Sequence, residues 1–416
     1  ENKYSAVFYE KDGKTYCTVK GSLEKIFSFC SKMDDGDKEI KLDETNIKVQ
    51  NEELASDGFR VIAIADGEIK NFKKKEIYDD KDIKNLTFKG LVAFIDPIRK
   101  ETIASISDCK RAGIKVVMVT GDHPLTAFAI AKELNIASDY SEVATGEDIE
   151  KISKKSEKEF DKFIKEKTIF TRVTPLQKLS IVNSFKRQGE FVAVTGDGVN
   201  DAPAIKAANI GIAMGSGTDV AKETSSMIII DDNFLSIVAG IKEGRNAYSN
   251  IRKIVYFLIS CGLAEVLFFL LSTIFNLPMP LVAIQLLWLN VVTDGLQDLA
   301  LSFEKDEDDV MADKPRDTKE SLFDKVLIHE IAIAGLSIGL IVFGVWIFLI
   351  NYVGMEVEHA RGYIMALMVF LQNYHVLNCR SENKSIFKYN FKHNPFVLFS
   401  ITGSILLQII VMEIEP

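Results

Sequence analysis

Phe191-Val192-Ala193-Val194-Thr195-Gly196-Asp197-Gly198-Val199-Asn200-Asp201-Ala202-Pro203 is the stretch on which the reading of this chain turns. A short apolar run runs into a turn of Thr, Gly and Asp, and a helix is expected to follow at 200–207. A strand, a tight turn and a helix in that order are half of a parallel α/β unit. Two further strings share the pattern. Lys115–Val119 runs into Thr120-Gly121-Asp122, with Pro124 at a helix start. Thr171-Arg172-Val173-Thr174-Pro175-Leu176-Gln177-Lys178 opens another helix. Working outward, the pattern predicts strands at 88–94, 115–119, 168–170, 191–194, 210–213 and 227–230, and helices at 99–112, 124–135, 175–188 and 200–207. The fold class expected for 86–233 is α/β, a doubly wound parallel sheet covered on both faces, with ligands at the carboxyl ends of its strands.

The residues at those ends suit a phosphate. The Thr120 hydroxyl and the amides of the turn through Gly121 and Asp122 can hold a phosphoryl oxygen. Lys178 presents a fixed ammonium, Asp197 is placed to coordinate Mg2+, and Asp201 anchors the turn that also holds Asn200. Taken singly, these are a turn, a solvated helix residue and a turn former. In order, after strands, they make a site for phosphoryl transfer, where Thr and Lys neutralise the moving oxygens and a metal bridges acceptor and phosphate. Such a site needs an acidic nucleophile at the end of a first strand, and no Asp precedes the motifs in that setting. Asp96-Pro97-Ile98-Arg99 follows a strand, but Pro97 fixes the backbone and the position suits a domain junction. Gly215-Ser216-Gly217 lacks the third glycine of a dinucleotide loop.

The 416 residues are 47% hydrophobic and 26% charged, and the two properties are segregated: 1–253 is charged, while 254–416 holds five long apolar runs. That excludes intrinsic disorder, a fibre, a small disulfide scaffold and a purely soluble enzyme. A net charge of −9 without a basic stripe gives no support to nucleic-acid binding, and no nucleic-acid partner is expected. Five scattered cysteines read as reduced thiols facing a cytosol. The chain opens on Glu1-Asn2-Lys3-Tyr4, close to a strand and without a signal peptide, and reads as a piece of something longer. Residues 1–85 read as part of an antiparallel α+β domain, with a hairpin turning at Lys11-Asp12-Gly13, a helix opening after Lys20-Gly21-Ser22, and a strand at 59–65. Lys20 and Arg60 are either nucleotide contacts or ordinary surface cations.

The apolar runs at 254–275, 281–300, 331–350, 362–377 and 395–412 each approach the ~20 residues that span a bilayer, and five spans are expected. Lys and Arg cluster before the first run (Arg252, Lys253), between the second and third (Lys305, Lys314, Arg316, Lys319, Lys325) and between the fourth and fifth (Arg380, Lys384, Lys388, Lys392). The soluble half and those loops are therefore placed on the cytosolic side. Glu265 sits near mid-span, and Asn290, Thr293 and Asp294 are spaced to share one helical face. A carboxylate at that depth costs roughly 2.5–3.5 kcal/mol. Converging oxygen donors suit a dehydrated cation such as Ca2+. Asp298 reads as solvated near a helix end, Gln372 and Asn373 as either donors or packing, and Gly335-x-x-x-Gly339 as close helix packing.

These strings together resemble the calcium-pump branch of the P-type ATPases, over essentially the whole chain. The most specific are 195–223, Asp231-Asp232-Asn233-Phe234 and 285–296. Lys20-Gly21-Ser22-Leu23-Glu24 is similar to the family's K-G-A-P-E nucleotide loop, and Asp96–Arg99 to its D-P-P-R. The resemblance implies a haloacid-dehalogenase-like phosphorylation domain at 86–233, the C-terminal part of a nucleotide-binding domain at 1–85, and a stalk with transmembrane helices at 234–416. It implies ATP and Mg2+ as cofactors and Ca2+ as cargo, with the lipid bilayer of the plasma membrane as surroundings and no obligatory protein partner. Lys20, Arg60 and Arg172 would contact ATP. Thr120, Gly121, Asp122, Lys178, Asp197, Asn200 and Asp201 would surround an aspartyl-phosphate, Asp197 holding Mg2+. Glu265, Asn290, Thr293, Asp294 and Gln372 would ligate the cation. Two-site members of the branch carry asparagine where this sequence has Gly262 and glutamate where it has Gln372. One Ca2+ per cycle is therefore expected, with Glu265 as a carrier of counter-transported protons. The D-K-T-G-T phosphorylation string is absent from the sequence, so the chain as given should bind nucleotide weakly and not turn over. The rival readings are a pump for Mn2+ or Na+, and a membrane-tethered phosphatase.

Overall fold

The structure, a computed structural model, describes residues 3–36, 38–70, 72, 74–75, 78–95, 97–305, 310–317, 320–381 and 393–413. Asp96, Lys319, Lys384, Lys388 and Lys392 lie outside the described residues. The chain divides into two compact units, Glu1–Val238 and Ala239–Pro416.

The first unit begins with a hairpin. Strands β1 (Tyr4–Lys11) and β2 (Lys14–Gly21) are joined by Asp12 and Gly13, whose φ values of 51° and 71° give the two-residue turn that matches strand twist. There follow α1 (Leu23–Phe27), β3 (Cys30–Asp34), β4 (Glu39–Lys41), α2 (Glu44–Ser56), β5 (Arg60–Glu68) and β6 (Leu86–Phe94). The six strands form one sheet in the order β1-β2-β5-β6-β3-β4. Alternation puts Cys17, Val19, Ala63, Ala65, Leu86 and Phe88 on one face, where they pack on Leu23, Ile26 and Phe27 of α1 and Ile47 of α2.

The strand expected at 88–94 is present, but not in the parallel sheet. β6 pairs antiparallel with β5 and parallel with β3, so the first sheet runs to Phe94 and the boundary expected at 85 falls too early. A bulge opposite Ile64 and Ala65 carries the pairing past Gly90, whose φ of 145° suits glycine alone. The misplacement has a simple cause: a strand followed by a short loop and a helix reads as a βα unit whichever sheet it joins.

The rest of the unit alternates as expected: α3 (Lys100–Arg111), β7 (Met118–Val119), α4 (Pro124–Glu133), β8 (Val143–Thr145), α5 (Gly146–Ser153), α6 (Glu157–Glu166), β9 (Ile169–Thr171), α7 (Pro175–Arg187), β10 (Ala193–Gly196), α8 (Ala202–Ala207), β11 (Ile210–Met214), α9 (Asp219–Thr224) and β12 (Met227–Ile229). All pairings are parallel, but in two three-stranded ladders, β7-β9-β8 and β10-β11-β12. Both faces of the first ladder are covered. Ile169 packs with Ile106 of α3 and Ala127 and Ala131 of α4, while its neighbour Phe170 packs with Phe160 and Ile164 of α6 and Ile181 of α7. Helix α7 starts with a reciprocal cap: Thr174 Oγ1 accepts from Gln177 N at 3.3 Å, and Gln177 Oε1 accepts from Thr174 N at 2.9 Å. That cap sets where Lys178 emerges.

The helical pattern through 236–253 belongs to one 41-residue helix, α10 (Phe234–Ile274), which carries the chain into the second unit. Next come α11 (Ala283–Leu289), a π-helical turn (Asn290–Asp294), α12 (Gly295–Ser302), α13 (Lys325–Ile347), α14 (Val357–Cys379) and α15 (Pro395–Glu413). Among the described residues three helices are long and apolar enough to cross a membrane: α10, α13 with its continuation to Tyr352, and α15. The run at 281–300 is interrupted by the π turn, and α14 is diluted by Gln372, Asn373, His375 and Asn378. A side chain at Gly335 would strike Leu263 at 2.8 Å, and one at Gly339 would meet the Ala264 carbonyl at 3.0 Å, so α13 packs on α10 along this glycine pair. Arg252 and Lys253 are buried within the unit, and Arg252 Nη1 lies 2.9 Å from Asp324 Oδ2.

Candidate functional site

The turn after β10 is held by one carboxylate. Asp201 Oδ1 accepts from Lys178 Nζ at 2.6 Å and Asp201 Oδ2 from Gly198 N at 3.3 Å. Gly196 leaves room for it, since a Cβ there would lie 2.5 Å from Asp201 Cβ. Asp201 thus anchors the turn, as expected, and also fixes Lys178. About four-fifths of both side chains is buried, with 19% and 17% exposed, so the pair is shielded from solvent. Asp197, by contrast, is exposed at the strand end, with Asn200 beside it on the same exposed turn. Its own carbonyl accepts from Thr218 N at 2.7 Å, and Gly217 packs against it so closely that a Cβ would stand 3.0 Å from that oxygen.

Thr120 continues β7: its N donates to Phe170 O at 2.8 Å. Its hydroxyl donates to Asp122 Oδ2 at 3.0 Å and accepts from Asp122 N at 3.1 Å, closing the turn over Gly121. Among the described residues no hydrogen bond joins Thr120 to Lys178 or Asp197; the three stand at the ends of different elements.

Two ion pairs join the first sheet to this region. Arg60 Nε lies 3.8 Å from Asp122 Oδ1, and Arg172, with φ at 52°, reaches Glu24 Oε1 at 3.2 Å. Lys20 is exposed on β2. Lys20, Ile64, Ile62 and Arg60 share the face of the sheet opposite α1, because Lys20 registers with Ile64 and alternate residues follow. A cavity of about 240 Å³ lies beside Arg172, lined also by Lys3, His123, Thr145, Gly146 and Glu147. His123 caps α4, its Nδ1 accepting from Leu125 N at 3.3 Å. Burial, then the Arg172 guanidinium, pushes this imidazole below its ordinary value.

The exposed Asp197 carboxylate makes no hydrogen bond among the described residues. One carboxylate fits Mg2+, which keeps several waters and completes its shell with phosphate oxygens. No group of three or more His, Cys, Asp or Glu side chains gathers for a metal among the described residues.

In the second unit Gln372 Nε2 donates to Glu265 Oε1 at 3.2 Å, joining α14 to α10, and Asp294 lies within electrostatic reach of Glu265. Thr293 is fully buried, its Oγ1 donating to Leu289 O at 2.6 Å and lying 3.4 Å from Asp294 Oδ1. Asn290 is exposed. Asp294 is half-buried, and the three sit in the π turn, not in the regular α-helix that the expectation of a shared face assumed. Asn373 belongs to a separate network, accepting from Gln297 Nε2 at 2.5 Å and donating to Ser404 Oγ at 2.8 Å. One feature was not anticipated from sequence: Glu304 and Arg380, 0% and 2% exposed, form a two-pronged pair at 2.9 and 3.2 Å, with Asn394 Nδ2 donating to Glu304 at 2.9 Å. Nothing in the spacing of Glu304, Arg380 and Asn394 announces that they meet.

Three family models match the chain. One for the P-type ATPase cytoplasmic domain N covers residues 1–101, one for haloacid dehalogenase-like hydrolases covers 174–241, and one for the cation transporting ATPase C-terminus covers 278–416. The chain belongs to the P-type ATPases. A calcium-transporting ATPase of Bacillus subtilis (strain 168) is 38% identical over 416 residues, which is 99% of this chain and 46% of that protein. Calcium-transporting ATPase type 2C member 1 of Homo sapiens is 33% identical over 413 residues, 98% of this chain and 43% of that protein. The cation-transporting ATPase pma1 of Synechocystis is 39% identical over 348 residues, covering 83% and 38%. This chain therefore spans about half the length of the curated relatives it matches. The domain N match continues past residue 85 to include β6, in line with the first sheet. The apolar helices of this P-type ATPase make it a membrane protein.

Proposed function

We propose that this chain is the C-terminal half of an ATP-driven pump that exports Ca2+ from the cytosol through an aspartyl-phosphate. The observation that carries the reading is the Lys178–Asp201 lock at the end of β10, in a chain that also holds Glu265, Gln372 and Asp294 together within membrane helices. Lys178 and the Thr120 hydroxyl bind phosphoryl oxygens, Gly121 and Asp122 shape the turn under Thr120, and Asn200 and Asp201 keep the 195–203 turn in register. Asp197 holds Mg2+, which when bound neutralises charge on the phosphate. Lys20, Arg60 and Arg172 bind ATP, the last two leaving their carboxylate partners for its phosphates.

Among the described residues β10 pairs only with β11 and β7 only with β9. Each ladder therefore leaves an open edge on the strand that ends in a Thr-Gly-Asp turn. A strand bearing the nucleophilic aspartate, from the part of the whole protein that this chain does not cover, has its hydrogen-bonding partners there.

In the membrane the proposed pump has five spans, α11 to α12 and α14 supplying the two polar ones, with the soluble unit cytosolic and the plasma membrane as its location. Glu265, Asn290, Thr293, Asp294 and Gln372 bind one Ca2+ per cycle, and Glu265 carries the returning proton. The test is Asp294→Asn in the whole protein. A Ca2+ pump loses its cation-stimulated ATP hydrolysis, falling at least about 10-fold, whereas a phosphatase with merely structural helices keeps its rate. Stimulation by Mn2+ or Na+ but not Ca2+ in the wild type would reassign the cargo.

A further inference from the structure

Asp298 read as a solvated acid near a helix end; the structure places it otherwise. Its Oδ1 is fully buried and has no hydrogen-bond partner among the described residues. Its neighbours in the same helices are satisfied. Gln297 donates to Asn373 at 2.5 Å and accepts from Ser400 Oγ at 2.6 Å, and Glu304 is held by Arg380 and Asn394. No Lys, Arg or His forms an ion pair with Asp298 among the described residues. The groups around it are themselves acids: Asp294, one helical turn earlier, and the buried thiols of Cys261 and Cys379. Two carboxylates four residues apart share a helix face and repel. A buried carboxylate oxygen without a donor is an uncompensated cost of about 1–3 kcal/mol or more.

A second group shares this condition. Gln372 is 1% exposed, its Nε2 is fixed on Glu265, and its Oε1, on the same amide carbon, has no partner among the described residues. Glu265, Asp294, Asp298 and the Gln372 carbonyl do not form a ready-made cluster, but Asp294 lies within electrostatic reach of both other acids and none of the three forms an ion pair among the described residues; hard oxygens of this kind are what a divalent cation draws together.

We infer that Asp298 is a further ligand of the transported divalent cation, extending the site of Glu265, Asp294 and Gln372 by one turn along α12. The inference rests on the transport reading above. The whole protein, solubilised in detergent, is compared as wild type, Asp298→Asn and Asp298→Glu by equilibrium binding of radiolabelled Ca2+. Phosphorylation from inorganic phosphate in Ca2+-free medium serves as the readout of fold and phosphate site. Asp298→Asn is expected to raise the Ca2+ dissociation constant at least 10-fold with phosphorylation unchanged, and Asp298→Glu to remain within about 3-fold of wild type. Unchanged binding in Asp298→Asn overturns the inference. So does joint loss of binding and phosphorylation in both variants, which marks a structural residue. A wild type that is phosphorylated yet binds no Ca2+ overturns the transport reading itself, and that failure is seen before any variant is made.

Discussion

His123 ties a helix cap, a cavity and a charge pair to one imidazole. Its Nδ1 accepts the Leu125 amide proton, so the ring must stay neutral to cap α4, and burial and Arg172 both disfavour the cation more than Glu24 favours it. The unfolded chain takes up this proton near pH 6.5, the folded chain only at lower pH. Between those values the unfolded state binds more protons, so stability falls as pH drops below about 6.5. His123→Asn keeps a cap acceptor and removes the titration. Thermal unfolding followed from pH 7 to 5 should show a shallower loss of midpoint in the variant, and equal slopes would acquit His123. The residue scale is also where the sequence spoke most directly. The places of Lys178, Asp197 and Asp201 on the fold, at a helix start and in a turn after a strand, were legible because local order sets both. The meeting of Arg60 with Asp122, or of Arg172 with Glu24, was not, since 62 and 148 positions separate the partners.

At the scale of elements, close packing decides. Gly339 of α13 faces the Ala264 carbonyl of α10 at 3.0 Å from where a Cβ would stand, and a backbone atom cannot yield as a side chain does. Gly344, five residues on, has nothing within 4 Å. Gly339→Val should cost about 1–3 kcal/mol by overpacking, and Gly344→Val little; thermal stability of the two variants in the same detergent measures the difference. Equal effects would mean that helix propensity, not the contact, is being read. The π turn at Asn290–Asp294 belongs here too. Its residues announced a polar cluster, but nothing in their order tells an i→i+4 ladder from an i→i+5 one, so the π winding was not foreseen. Likewise α5 and α6 went unassigned in a polar stretch whose burial depends on Ile149, Phe160 and Ile164 finding Phe170.

Over the whole molecule, α10 runs unbroken from the first unit into the second, through both Gly240 and Gly244. In the proposed pump it is the path by which phosphate chemistry reaches Glu265. Gly244→Pro removes a main-chain hydrogen bond and disrupts the helix at a cost of about 3 kcal/mol. Expected is a protein still phosphorylated from inorganic phosphate but stripped of most Ca2+-stimulated turnover, and normal stimulation would refute a mechanical role for the helix. Composition and local order were enough to determine the parallel α/β region, the Thr-Gly-Asp turns at strand ends and the apolar helices, because those depend on hydrophobic period and on residues a few positions apart. The sheet that β6 joins, the lock of Lys178 by Asp201, the burial of Glu304 with Arg380 and the unpartnered oxygen of Asp298 were decided by tertiary structure alone. The first three are contacts between distant parts of the chain and the last is a buried group without one; in every case the free energy arises only when packing has removed water.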